Sequence, residues 1–151
     1  MPGQPQLECP IPATLQLAID MTELQVTDDQ GIPSKFIIDV GDDFKVSATF
    51  LIGGNQSAGF AGAAVGFTVE YYYEGFGAAP EGTLGQATGD SSMGVPSVSC
   101  AGAIEFGGVQ TELIVPAGTL QPGLYRLSAA VTFDPAWAMV GFAEGPVVRQ
   151  L

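Results

Sequence analysis

Catalysis needs side chains that move protons, hold metals or attack carbon, and this chain offers few of them. It has no histidine, two cysteines (Cys9 and Cys100), sixteen Asp and Glu, and four Lys and Arg. Without histidine, Ser-His, Cys-His and histidine-metal arrangements cannot be built. Paired carboxylates can hydrolyse glycosides, but no spacing here sets two of them across a cleft, and Glu70 and Glu74 share the expected outer face of one strand. The glycine-rich pieces lie between strands rather than ahead of a helix, so no phosphate cradle is expected. Asp28, Asp29, Asp39, Asp42 and Asp43 gather in two turns. A hard cation takes several oxygen ligands. With no EF-hand or repeat pattern, these five read as solvated turn acids, with a calcium site as the alternative. The chain therefore reads as non-catalytic, with no cofactor and no metal.

The cysteines match no metal-ligand spacing. Cys100 shares parity with Val98, Ile104 and Phe106, which reads as a buried core thiol; the alternative is a Cys9–Cys100 disulfide. Tyr71, Tyr72 and Tyr73 are consecutive, so at least one must leave the core. An outward tyrosine can stack on a sugar ring or pack on a partner, although aromatic residues are also ordinary strand composition.

The net charge is −12. Nucleic-acid binding needs a basic footprint, so DNA and RNA are excluded as direct ligands, and anionic lipid surfaces are disfavoured for the same reason. Charged residues make up 13% of the chain, about half the ~25% of an average soluble domain. This suggests a surface partly covered by partner subunits; the alternative is solvation by Gly, Ser, Thr and Gln. The start, MPGQPQLECPIPATLQ, has neither the basic nor the apolar segment of a secretory leader, and no run of apolar residues is long enough for a membrane helix. The expectation is a protein that stays in the cell or leaves as part of a particle.

Short strands must position whatever this chain does. Residues 1–13, with Pro2, Pro5, Pro10 and Pro12, read as an extended arm, and residues 14–151 as one folded unit. Strands are expected at Thr14–Gln25, at Lys35–Val40 with Phe36, Ile38 and Val40 inward, at Phe44–Ile52 and at Val65–Glu74. Further strands are expected at Ser97–Phe106, Val109–Val115, Tyr125–Phe133 and Phe142–Leu151. Their alternation has the period of half-buried strands. Gly53–Ala64 reads as a flexible loop. About 75–96 reads as a long irregular connection with a weak edge strand at Thr83–Thr88, and Gly107-Gly108 as a tight turn. No helical period exceeds a turn or two. Seven to nine short strands with frequent turns indicate an all-β antiparallel sandwich or barrel.

Leu120, Pro122, Gly123 and Tyr125 stand just before an alternating strand. They resemble the tyrosine corner of immunoglobulin-like β-sandwiches of the fibronectin or bacterial Ig-like kind. The resemblance implies a single Ig-like sandwich with Phe44–Ile52 as strand B, Val65–Glu74 as strand C, Tyr125–Phe133 as strand F and Phe142–Leu151 as strand G. The antibody-type cysteine pair is replaced by Ala48 and Leu127 or their neighbours, and the strand-C tryptophan by Phe67 or Val69. The similarity is at the level of the fold, which hosts many functions.

The same resemblance places the B–C, D–E and F–G loops (53–64, 107–109 and 134–141) at one end. There, Phe60, Trp137, Met139 and Val140 have the composition of a protein-contact anchor, with Trp137 capping its own core as the alternative. The functional expectation is a structural or interaction subunit of a multi-subunit assembly, such as a virion or particle decoration component, with protein partners and self-association. A carbohydrate- or cell-surface-binding module is the alternative, and a small apolar-ligand carrier a third.

Overall fold

The computed structural model describes residues 17–28, 36–98, 100, 102–134 and 139–151. The expected arm at 1–13 lies outside them. Ten strands run through the described residues: β1 (Ala18–Asp28), β2 (Ile37–Ile38), β3 (Phe44–Gly53), β4 (Gly66–Gly75), β5 (Gly82–Asp90), β6 (Val95–Pro96), β7 (Ile104–Phe106), β8 (Leu113–Val115), β9 (Gly123–Phe133) and β10 (Val140–Gln150). One sheet has the order β1-β3-β7-β6, with β8 also paired to β3. The other has the order β2-β10-β9-β4-β5. These are the A-B-E-D and G-F-C orders of an immunoglobulin-like sandwich, with β5 added beside strand C. The chain is an all-β Ig-like sandwich, and β3, β4, β9 and β10 take the expected B, C, F and G places.

Alternating side chains fill the space between the sheets. Phe44, Val46, Ala48, Phe50 and Ile52 of β3 face Phe67, Val69 and Tyr71 of β4 and Tyr125, Leu127, Ala129 and Val131 of β9, all buried. Where antibody domains carry a disulfide against tryptophan, this core carries phenylalanines. Phe50 stacks on Phe106 at 4.8 Å and meets Phe67 edge-on at 5.4 Å. Phe133 meets Phe60 edge-on at 5.4 Å. Such pairs add about 0.5–1.5 kcal/mol each beyond burial. The corner is present as well: buried Tyr125 donates its hydroxyl to the Gln121 carbonyl at 2.8 Å.

Strand E is broken in two. β7 pairs with Phe50–Ile52 and β8 with Phe44–Val46, which leaves the middle of β3 without a strand on that side. Between the halves the chain swings out through a 3-10 turn at Gly108–Gln110. Thr111 closes the gap. Its buried hydroxyl donates to the Ala48 carbonyl at 2.6 Å and accepts from the Ala48 N–H at 3.2 Å. The Tyr71 hydroxyl, from the opposite sheet, donates to the Thr111 carbonyl. One threonine thus replaces a missing rung and ties the two sheets together. The expected strands at Ser97–Phe106 and Val109–Val115 shrink to three residues each, and the supposed tight turn at Gly107-Gly108 lies in the middle of strand E. Gly107 is needed there, because a Cβ would lie 2.8 Å from the Thr49 hydroxyl.

Three other expectations are corrected. The 75–96 stretch holds a nine-residue strand, β5, paired with β4 along its length. Its run of glycine and threonine hid a strand whose rungs come from backbone rather than apolar side chains. Of the described residues of the expected 35–40 strand, 36–40, only Ile38 is buried. β2 pairs in parallel with the end of β10 over two residues, and the chain then turns at Asp39, leaving Phe36 and Val40 exposed. In β1 a bulge between Met21 and Glu23 resets the alternation, so that Leu24 and Val26 face the core and Glu23 stays in water.

Thr111→Val keeps the shape and removes the hydroxyl, leaving both Ala48 backbone groups unpaired. A loss of about 2–4 kcal/mol is expected in urea unfolding, against about 1 kcal/mol for Thr111→Ser, which keeps the hydroxyl. Burial also pushes the Tyr71 phenol from 10.0 up to about 12. Because the folded value lies above the unfolded one, this stabilisation is complete below about pH 10 and disappears as pH rises to about 12. Over that window the native chain should lose on the order of 2–3 kcal/mol more than Tyr71→Phe, measured by urea unfolding at stepped pH.

Candidate functional site

The end of the sandwich expected to carry contacts is more rigid than its composition suggests. The B–C connection, expected as a flexible loop, holds a helix, α1 (Ser57–Gly62). Its Ser57 hydroxyl donates to the Gly102 carbonyl at 2.7 Å. Ser91, just past β5, is fully buried; it accepts from the Val65 N–H at 2.7 Å and donates to the Phe60 carbonyl at 2.6 Å. Asp90 caps the 3-10 turn at Ser91–Met93 by accepting from the Ser92 hydroxyl and from the Ser92 N–H, and these bonds, the hydroxyl's above all, lower its pKa. The helix is therefore bolted to β4, to the end of β5 and to the D–E connection, which runs over 97–103 rather than 107–109.

Of the four residues expected to form a contact tip, Phe60 is 0% exposed and belongs to the aromatic core. Its helix turns it inward, so it cannot serve as a contact. Trp137 lies outside the described residues. Met139 is half-buried against the core, and Val140 is 67% exposed. Beside Val140 on the outer face of β10 stands Phe142, 61% exposed. Tyr125, Pro122 and Gly123 form the E–F corner at the opposite end.

That opposite end carries a second group of exposed apolar side chains. Cross-strand register places Leu124 of β9 beside Arg149 of β10, and Arg149 beside Ile37 of β2, so the three form one row on the outer face. Leu124 and Ile37 are 43% and 53% exposed. The Arg126 guanidinium lies 5.8 Å over the Phe76 ring and 4.0 Å from Glu144. Among the described residues no carboxylate lies within ion-pair distance of Arg149. A shallow cleft of about 670 Å³ opens beside it, lined by Pro122, Leu124, Gln150 and Leu151. Sequence reasoning missed this row. Leu124 and Arg149 lie far apart along the chain, and only the hairpin register of β9 and β10 brings them together.

The tyrosines divide. Tyr71 is the inter-sheet tie, Tyr73 meets Tyr125 edge-on at 5.6 Å, and Tyr72 lies on the outer face, where the Glu70 carboxylate raises its pKa. A cleft of about 490 Å³ is lined by Tyr72, Tyr73, Glu74, Glu81, Thr83 and Ser128. The turn acids have local work: Asp43 accepts from the Ala117 N–H at 2.8 Å, and the Asp39 carbonyl accepts from the Asp42 N–H at 3.2 Å. No group of three or more Cys, Asp or Glu side chains converges among the described residues. Cys100 is 2% exposed, packed with Leu51 and Ala103 on the outside of the first sheet, and is disulfide-bonded rather than the free thiol first expected. The proposed other half, Cys9, lies outside the described residues. No described helix is long and apolar enough to cross a membrane.

No protein-family model matches the sequence, and no curated protein matches it. Among solved structures the chain is similar to the CARDB domain of the PF1109 protein from Pyrococcus furiosus, crystallised in complex with di-metal ions. The two share 15% identity over 98% of each chain, with a TM-score of 0.46.

Truncating Phe60 should therefore read as a core lesion. Phe60→Ala is expected to cost about 3–5 kcal/mol in thermal or urea unfolding, whereas Val140→Ser should change stability by less than about 0.5 kcal/mol.

Proposed function

We propose that this chain is a non-catalytic structural or interaction subunit of a larger assembly, of the kind that a virion or particle decoration component represents. The finer likeness to fibronectin or bacterial Ig-like modules belongs to the same proposal. One observation carries it: large apolar side chains stand exposed at both ends of the outer face of one sheet, Val140 and Phe142 at one end and Ile37 and Leu124 at the other. Scattered exposed apolar residues are normal, but aligned groups on a rigid sheet suit a contact surface. The sparse charge of the chain supports the same reading.

A carbohydrate-binding role has one specific observation in its favour, the Tyr72 cleft, where an aromatic ring lies beside carboxylates and hydroxyls. Binding to a glycan panel that Tyr72→Ala abolishes would favour that role.

The assembly reading is tested by size fractionation of native extract from the source cells, with the chain detected by antibody. It is expected in particles far larger than a dimer. Recovery only at its own 15.5 kDa, or as a dimer, counts against the reading.

A further inference from the structure

We infer that the outer face of the β2-β10-β9-β4-β5 sheet docks a basic segment of a partner protein, with an arginine side chain of that partner lying on the Tyr72 ring beside Glu74 and Glu81. The inference rests on the assembly reading and names the chemistry of the partner.

Charge selects the kind of partner. The chain carries −12, and this face shares in it: Glu70, Glu74, Asp90, Asp134 and Glu144 stand against Arg126 and Arg149. A field of that sign draws cations. The outside of the other sheet is acidic as well, but its outward strand positions hold no aromatic residue. Only the Tyr72 cleft, among the described residues, joins a ring to unpaired carboxylates.

Strand parity builds this cleft of about 490 Å³. Alternation turns Glu70, Tyr72 and Glu74 of β4 outward. Register sets Ser128 of β9 on one side of Tyr72 and Thr83 of β5 on the other. A bulge makes the second neighbour polar. Tyr71 pairs with Gly85 but Tyr72 with Thr83, and Leu84, the residue passed over, packs against the core. Glu81 enters from the start of β5, so every polar side chain lining the cleft is a carboxylate or a hydroxyl. Glu74 and Glu81 are exposed, and among the described residues neither has an ion-pair partner.

The face already holds one arginine in this way. Arg126, directly across from Glu74, is turned to Glu144 at 4.0 Å and to the Phe76 ring at 5.8 Å. Tyr72, Glu74 and Glu81 repeat the combination of ring and carboxylate, with no described cation lining their cleft. A guanidinium stacks on an aromatic face and forks to carboxylates, which suits it to this cleft better than an ammonium. A neutral sugar could stack on Tyr72, but it would leave the charge of both glutamates uncompensated.

NMR titration of the isotope-labelled full chain with Nα-acetylarginine amide tests the inference. Two further arms use Nα-acetylcitrulline amide, which keeps the shape without the charge, and cellobiose. Arginine amide is expected to shift the amides of Tyr72, Glu74, Glu81, Thr83 and Ser128 with a dissociation constant of about 1–10 mM. The other two compounds should leave them in place. Tyr72→Leu, and Glu74→Gln combined with Glu81→Gln, should each weaken binding by about 10-fold or abolish it. Glu23→Gln combined with Glu105→Gln removes the same charge from the other sheet and should leave binding unchanged. Amide dispersion checks that each variant is folded; if Tyr72→Leu is not, the exposed glutamate pair decides alone. In the source cells, the Glu74→Gln and Glu81→Gln chain should leave the large particles, and its full retention there would overturn the docking. So would absent binding, shifts spread over the whole acidic surface, an equal loss in the Glu23 and Glu105 variant, or equal binding of the citrulline compound. Cellobiose bound at the cleft in place of arginine would overturn it in favour of the carbohydrate role. A chain found in large particles whose cleft ignores arginine would remove the docking and leave the assembly reading standing. Arginine bound at the cleft of a chain that runs alone in extract would remove the assembly reading and leave the cleft's chemistry standing.

Discussion

The sandwich depends on a threonine that does the work of a strand. In an unbroken strand E, the backbone of Ala48 would pair with a neighbouring backbone. Here the strand leaves the sheet at Gly107, and the Thr111 hydroxyl answers the Ala48 N–H and C=O together. A buried backbone group without a partner costs free energy comparable to a lost hydrogen bond, so the excursion is tolerable only because a hydroxyl, both donor and acceptor, stands at this point. The Thr111 carbonyl in turn receives the Tyr71 hydroxyl. That contact explains how a tyrosine can be 1% exposed in an otherwise apolar core: its polar end reaches a carbonyl that the broken strand has left free.

The same break shapes the molecule around it. β5 lies against the second half of the split strand E. It runs beside β4 with Gly85 at φ +140°, in the left-handed region, next to the Leu113 side chain. A residue with a Cβ would be strained at that φ. Gly85 is there for its backbone, whereas Gly82 and Gly89 leave room for the Tyr73 and Phe67 rings, and together they make β5 read as a loop. Alternation made β3, β4 and β9 legible, along with the tyrosine corner, since each buries every second side chain over at least five residues, and β10 reads as a strand with a bulge at Gly145-Pro146. β2, β6, β7 and β8 were poorly legible because two or three residues carry no period. Their positions come from pairing with a longer strand.

Of the residues expected at the contact tip, Val140 is exposed and Phe60 is buried. Val140 is exposed because the outward parity of β10 begins there. Phe60 has the same apolar character, yet it is carried by a helix that Ser57 and Ser91 hold down. A sequence without a detectable helical period gives no sign that the six residues after Gln56 will coil and direct an aromatic ring into the core. Cys100 teaches the same lesson from the outside. Its parity with Phe106 suggested the core, but the short β7 begins only at Ile104, so the cysteine packs on the opposite surface of the sheet over Leu51.

Charge placement follows from the same alternation. The chain has four cations, and those among the described residues all sit on strands. Lys45 is committed to Glu112 on the first sheet, whereas Arg126 and Arg149 both project from the second. This follows from strand parity. Tyr125 and Leu127 must point inward to make the corner and the core, so Arg126 between them must point outward, and Val148 inward forces Arg149 outward in the same way. The residues that build the sandwich therefore also place its cations. The corner that stabilises strand F and the outward placement of both arginines are two consequences of one alternating pattern.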